Sequence, residues 1–172
     1  ASPLFNITGR PILLDGALGT ELMKVLPAPG LCPELANLEH PEAVRSVHRA
    51  YFEAGADAVT SNSLGANPLK LAAAGLSGRA RELAAAAVRI AVSVRPAGKF
   101  VAGDIGPTGK FLKPQGPGTE MEFEDGFAVQ AEWLAEGGAD FLLIETMYDL
   151  REALCAVRGA RRGAPGLPVL AT

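Results

Sequence analysis

Short apolar runs that stop at a polar residue alternate along this chain with longer stretches whose apolar positions recur at helical spacing. Five runs, at 12–14, 58–62, 100–104, 141–145 and 168–172, are long enough for buried strands and too short for helices. Between them, Val44, Val47, Tyr51 and Ala54 mark one face of a helix that opens at Pro41 and stops at Gly55. Leu83, Ala87, Ile90 and Val94 mark a second over about 78–94, and a short helix is expected at 68–74. Thr119 and Glu122 have capping-box spacing ahead of a third, with Phe123, Phe127, Ala131 and Leu134 as its buried side. Asp149 and Glu152 repeat that spacing ahead of a fourth, running to about 162. The connections at 26–33 and 106–118 are rich in glycine and proline; the second is long enough to predict a mobile lid.

The resulting order, β-α-β-α-β-α-β-α-β, calls for a parallel sheet with right-handed crossovers. A repeat runs through it: Glu53-Ala-Gly-Ala-Asp57 and Glu136-Gly-Gly-Ala-Asp140 are one helix-exit phrase, each leading into a strand. The polar strand ends Asp15, Asn62, Asp104 and Glu145 are 47, 42 and 41 residues apart, the even spacing of a (β/α)8 barrel rather than of a Rossmann sheet. The expected fold class is therefore α/β of the (β/α)8 TIM-barrel type. Residues 1–172 read as its incomplete N-terminal part, about the first four βα units plus strand five.

Composition narrows the partners. An apolar share of 48% supports a real core, and a net charge of −3 without a basic stripe argues against nucleic acid. Cys32 and Cys155 make neither a disulfide framework nor a metal spacing, which fits a reducing cytoplasm; both read as structural. No run reaches membrane-spanning length and no signal-peptide pattern opens the chain, so a cytoplasmic protein without a membrane partner is expected. His40 reads as a helix-start residue and His48 as a helix-surface residue, neither as a ligand.

The candidate chemistry sits at the strand ends. In Asp15-Gly16-Ala17-Leu18-Gly19-Thr20-Glu21 a carboxylate follows an apolar run, and the glycines free backbone amides for a ligand. That pairing suits a zwitterion, and equally suits a strand-to-helix turn in which Asp15 caps the helix. Asp104 is open to the same two readings. Glu145 ends four apolar residues and so needs a partner. Three carboxylates on one rim are costly unless a cation or ammonium sits among them.

Four co-ordered motifs resemble the homocysteine S-methyltransferase family: the 15–21 stretch, Ala54-Gly55-Ala56-Asp57 leading to Thr60-Ser61-Asn62-Ser63-Leu64-Gly65-Ala66-Asn67, Gly103-Asp104-Ile105-Gly106-Pro107-Thr108-Gly109, and Ile144-Glu145-Thr146. The resemblance runs from about residue 12 to 172. It implies methyl transfer to the homocysteine thiol, giving methionine, at the C-terminal rim of the barrel. It places the substrate ammonium on Asp15 and Glu145 and the substrate carboxylate on the amides of Gly16, Ala17 and Leu18. Asn62 and Ser63 then border substrate or donor, and Asp104 completes the candidate substrate-binding set; no catalytic or metal-ligating residue is assigned. The family more often has Thr-Asn-Thr-Phe-Gly where this chain has Thr60-Ser61-Asn62-Ser63-Leu64-Gly65.

The resemblance also implies zinc, held by cysteines after strands six and eight that lie outside this chain, and a methyl donor, with a cobalamin/methyltetrahydrofolate system among those the family uses. The implied partners are homocysteine, that donor, and the remaining half of the barrel or another copy of the chain. This chain alone is expected to be inactive. The rival expectations are a non-catalytic half-barrel binding module or fragment, and a TIM-barrel enzyme acting on another amino acid.

Overall fold

The structure of the protein is a computed structural model, described for residues 11–26 and 32–172. Its centre is one parallel sheet of four strands in sequential order, β1 (Ala58–Thr60), β2 (Phe100–Ile105), β3 (Phe141–Ile144) and β4 (Val169–Ala171). The registers Val59↔Val101, Gly103↔Leu142 and Leu143↔Leu170 run through it. Helices α1 (Leu18–Val25), α2 (Ala36–Glu39), α3 (Pro41–Glu53), α4 (Pro68–Leu71), α5 (Ala80–Ser93), α6 (Glu120–Gly137) and α7 (Leu150–Gly163) fill the crossovers. The fold is α/β with a parallel sheet, as the alternating pattern requires.

The two faces of the sheet carry different cores because successive strand residues point in opposite directions. Val59, Val101, Ile105, Leu142 and Ile144 pack with Phe123, Phe127, Leu134 and Ala160 from the helices into the larger core. Ala58, Ala102, Phe141 and Leu143 face the other way and form a second cluster with Ile12, Leu14 and Leu170. Helix and sheet approach closely where side chains are small: a Cβ on Gly103 would stand 2.9 Å from Leu142 Cδ2 and 3.0 Å from Leu134 Cβ.

The repeated phrase has a repeated physical role. Gly55 (φ 106°) and Gly138 (φ 97°) end α3 and α6 in the left-handed region that glycine tolerates. The aspartate two residues on then binds the backbone of the neighbouring strand segment. Asp57 Oδ2 accepts the Leu13 N–H at 3.0 Å, and Asp140 Oδ2 accepts the Val101 N–H at 2.8 Å. Each is paired with a cation, Lys99 at 2.9 Å and Arg95 at 2.5 Å.

Several expectations are corrected. The run at 12–14 forms no strand, only a parallel bridge of Leu14 to Ala58, so four strands and a bridged segment replace the five expected. The helix of the strand-to-helix reading forms as α1, but Asp15 does not cap it: Ala17 is its N-cap and no side chain accepts its first amides. On α3 the buried stripe is Val44, Val47, His48 and Phe52, with Ala54 exposed; His48, expected on the surface, is fully buried. Asp149 caps α7 by accepting the Arg151 N–H at 2.8 Å, but Glu152 does not complete a capping box. It is buried and binds Thr108 instead.

That contact bears on the 106–118 loop, expected to lack structure. Thr108 donates to Glu152 through both N–H and hydroxyl, Leu112 is buried in the main core, and Leu112 bridges Gly118. The loop is a packed element. Most of the expected 26–33 connection lies outside the described residues. No helix among the described residues is long and apolar enough to cross a membrane.

Candidate functional site

The two-residue period of the strands builds the site. Ala58, Ala102 and Leu143 belong to the inner apolar layer, and two residues on, Thr60, Asp104 and Glu145 follow on the same face. A polar layer therefore stands directly above an apolar one at the C-terminal ends of three adjacent strands. Asp15 joins it from the bridged segment, its own N–H donating to the Ala58 carbonyl at 3.0 Å. Thr60 fixes the Asp15 carboxylate: its N–H reaches Oδ2 at 2.9 Å and its hydroxyl reaches Oδ1 at 3.2 Å.

Above this layer opens a cleft of about 640 Å³. One wall is the turn Gly16-Ala17-Leu18-Gly19, where α1 begins at Leu18 with no side chain capping its first amides. Such uncapped N–H groups at a helix start favour an anion. The other walls carry Cys32, Glu34, Asn62, Lys70, Asp104 and Glu145. Immediately after Glu145 the backbone turns through Thr146 at φ 63°, a left-handed conformation rare for a β-branched residue and typical of strained functional sites.

The electrostatics follow from this crowding. Burial pushes the Asp15 carboxyl up to about 6; hydrogen bonds from Thr60 oppose the rise, and the charge of Glu145 adds to it. Asp104 is 5% exposed and its Oδ1 has no hydrogen-bond partner. Burial above all, then the charges of Glu145, Asp15 and Glu34, hold its carboxyl well above the usual range.

Of the expected site residues, the cleft gathers Gly16, Ala17, Leu18, Asn62, Asp104 and Glu145, with Asp15 close enough for its charge to act on Asp104. Ser63 stands apart. It is fully buried, and its hydroxyl donates to the Asp104 carbonyl at 2.8 Å and meets Ser61 Oγ at 2.7 Å, so it braces β2 from behind. The Asn62 amide is committed to the wall as well, donating to the Pro33 carbonyl at 2.8 Å and to Asn37 Oδ1 at 3.0 Å.

Three cleft residues escaped the sequence reading. Glu34 is buried in a 3₁₀ turn (Pro33–Leu35), where Oε1 accepts the Gly65 N–H at 2.7 Å and Oε2 accepts the Cys32 thiol at 3.1 Å. Its signal was a carboxylate set between Pro33 and the apolar Leu35 and Ala36. Thr60 stands in the second motif but was given no role there, and Lys70 carried no signal beyond being a lone cation in a short helix.

Zinc, the metal implied by the resemblance, finds no fitting donor set here. No group of three His, Cys, Asp or Glu side chains among the described residues could hold a metal ion. Burial and Glu34 push the Cys32 thiol up to about 11, away from thiolate, and Cys155 is buried in the main core.

A family model for homocysteine S-methyltransferases matches residues 12–172. Methionine synthase of Mycobacterium tuberculosis is 34% identical over 168 residues, covering 91% of this chain and 14% of that protein. Homocysteine S-methyltransferase of Escherichia coli is 34% identical over 162 residues, covering 82% of this chain and 51% of that one. The crystal structure of the Escherichia coli homocysteine methyltransferase MmuM in its oxidised form superposes with a TM-score of 0.82 at 26% identity, over 100% of this chain and 65% of that chain. Its metallated form gives 0.79 at 28% identity, over 97% and 65%. The chain thus spans about half the length of one curated relative and 14% of the other.

Proposed function

The chain belongs to the homocysteine S-methyltransferase family, and from that premise we propose that it forms the amino-acid clamp of a homocysteine S-methyltransferase whose sheet is part of a (β/α)8 barrel. The reaction is methyl transfer to the homocysteine sulfur, giving methionine. The observation that carries the reading is a cleft walled by Glu145 and the uncapped α1 amides, with Asp15 held beside it by Thr60 and close enough to feel the charge of Glu145.

Each group has a defined task. Asp15, oriented by Thr60, and Glu145, on the cleft wall, take the substrate ammonium. The amides from Gly16 to Leu18 take its carboxylate. Fixing both charged ends leaves the thiol-bearing arm as the free part of the ligand, so the clamp acts by orientation. Sulfur attack on a methyl donor needs the thiolate, and no group of three or more His, Cys, Asp or Glu among the described residues could hold a metal ion to form it.

The test is calorimetric titration of the chain with L-homocysteine, homocysteine thiolactone and propanethiol under reducing conditions. The account expects binding of homocysteine only, because the thiolactone lacks the free carboxylate and the thiol lacks both charges. Equal binding of all three would show that neither charged end is needed and overturn the clamp.

A further inference from the structure

Asp104 is the most constrained charge of the cleft: one twentieth exposed, with one carboxyl oxygen unpartnered, on the wall of an open cavity. The elements around it bring mostly like charge. Asp15 comes from the bridged segment, Glu34 from the 3₁₀ turn and Glu145 from the end of β3. β1 offers the uncharged Thr60 and the residue after it the uncharged Ser61, Cys32 offers a thiol, and Lys70 of α4 is the cation of the cleft wall. Among the described residues Lys70 makes no salt bridge to any of these carboxylates. A buried carboxylate with an unsatisfied oxygen beside two or three others is strongly disfavoured unless it keeps a proton or gains a cation.

An ammonium group answers this arrangement closely. It carries three N–H donors and one positive charge, and the carboxyl groups of Asp15, Asp104 and Glu145 lie close enough for their charges to act on one another. We propose that Asp104 is a neutral carboxylic acid in the empty cleft and that a docking amino-acid ammonium displaces its proton to solvent. Asp104 is then a positioning residue that exchanges a proton for a cation. The inference rests on the amino-acid reading of the site and adds a third, titrating carboxyl to the clamp. The balance is simple: the acid O–H bond breaks, its proton leaves to water, and the carboxylate left behind accepts an N–H of the intact ammonium. The raised affinity of the Asp104 carboxyl for its proton agrees with this, burial being the main cause and the neighbouring carboxylates the next.

The test is infrared spectroscopy of the whole chain at pH 7.5, above the titration of Asp15 at about 6. Carboxyl-13C aspartate labelling separates aspartate from glutamate without any substitution. The expected result is one protonated aspartate carbonyl band, shifted by the label and missing in Asp104→Asn. Saturating L-homocysteine should abolish it, with about one proton released per ligand bound, read by calorimetry in buffers of different ionisation heat. If Asp104→Asn does not fold, Glu145→Gln supplies the second variant: removing the like charge that acts on Asp104 most strongly should weaken the band at the same pH. A free chain without a protonated aspartate band overturns the inference, as does a band that persists with homocysteine bound. If homocysteine fails to bind but methylammonium removes the band, the proton exchange stands and the homocysteine reading falls. A band removed by neither overturns the exchange.

Discussion

The Glu152 carboxylate accepts both the backbone N–H and the hydroxyl of Thr108, each at 2.7 Å, inside the protein. One buried side chain of α7 thereby fastens the 106–118 loop beside the rim that carries the cleft. Glu152→Ala should cost about 1–3 kcal/mol, because it leaves a buried N–H unpaired. Thr108→Val should cost less, since the N–H bond survives. Urea denaturation checks both, and limited proteolysis should cut the loop sooner in Glu152→Ala. Equal stability of the wild type and Glu152→Ala would show that core packing of Leu112 alone holds the loop.

Gly65 has no room for a side chain: a Cβ would collide with Glu34 Oε1 and press on Lys70 Cε at 3.1 Å. Gly65→Ala should therefore destabilise by about 1–3 kcal/mol, the usual cost of overpacking. The same substitution in a Glu34→Ala background should cost clearly less, since its main obstacle is gone. Thermal unfolding of the four proteins gives the cycle. Identical costs in both backgrounds would place the obstacle elsewhere.

His48 is fully buried with neither ring nitrogen bonded, and burial lowers its pKa to about 4. Between about 6.5 and 4 the unfolded chain takes up a proton that the folded chain refuses. The stability this represents is fully present above that window and is lost as pH falls through it. Asp15 acts in the opposite sense: its raised carboxyl favours the folded state at low pH, and that contribution fades as pH rises through about 6. Comparing the wild type with His48→Leu separates the two. The stability difference between them should change by about 3 kcal/mol from pH 7 to pH 4, with the wild type the loser in acid. A difference that stays constant would mean that His48 protonates in place.

Much of this was legible because it depends on period and chain direction. The apolar runs located β1 to β4, and period two put Asp104 and Glu145 above Ala102 and Leu143. The capping box at Thr119 is present as the spacing predicts, with Glu122 accepting the Thr119 N–H at 2.8 Å. What stayed hidden depends on partners distant in sequence. Glu152 has the same spacing from Asp149 as Glu122 has from Thr119, yet Thr108 claims it, and nothing local distinguishes the two. His48 was misplaced because a polar side chain at a stripe position reads as surface. Ser63 belonged to the right motif, but its neighbour Asn62 faces the cleft while Ser63 faces the carbonyl of Asp104.

The central claim is that Asp15 and Glu145 jointly hold an amino-acid ammonium. Its most direct test is the affinity of the chain for L-homocysteine, measured by calorimetry at neutral pH for the wild type, Asp15→Asn and Glu145→Gln. Both substitutions keep size and one acceptor oxygen while removing the charge. The account predicts that each variant keeps the wild-type circular dichroism and loses about 2–5 kcal/mol of binding, the range for one partner removed from a buried charge pair. Unchanged affinity in both folded variants would contradict it.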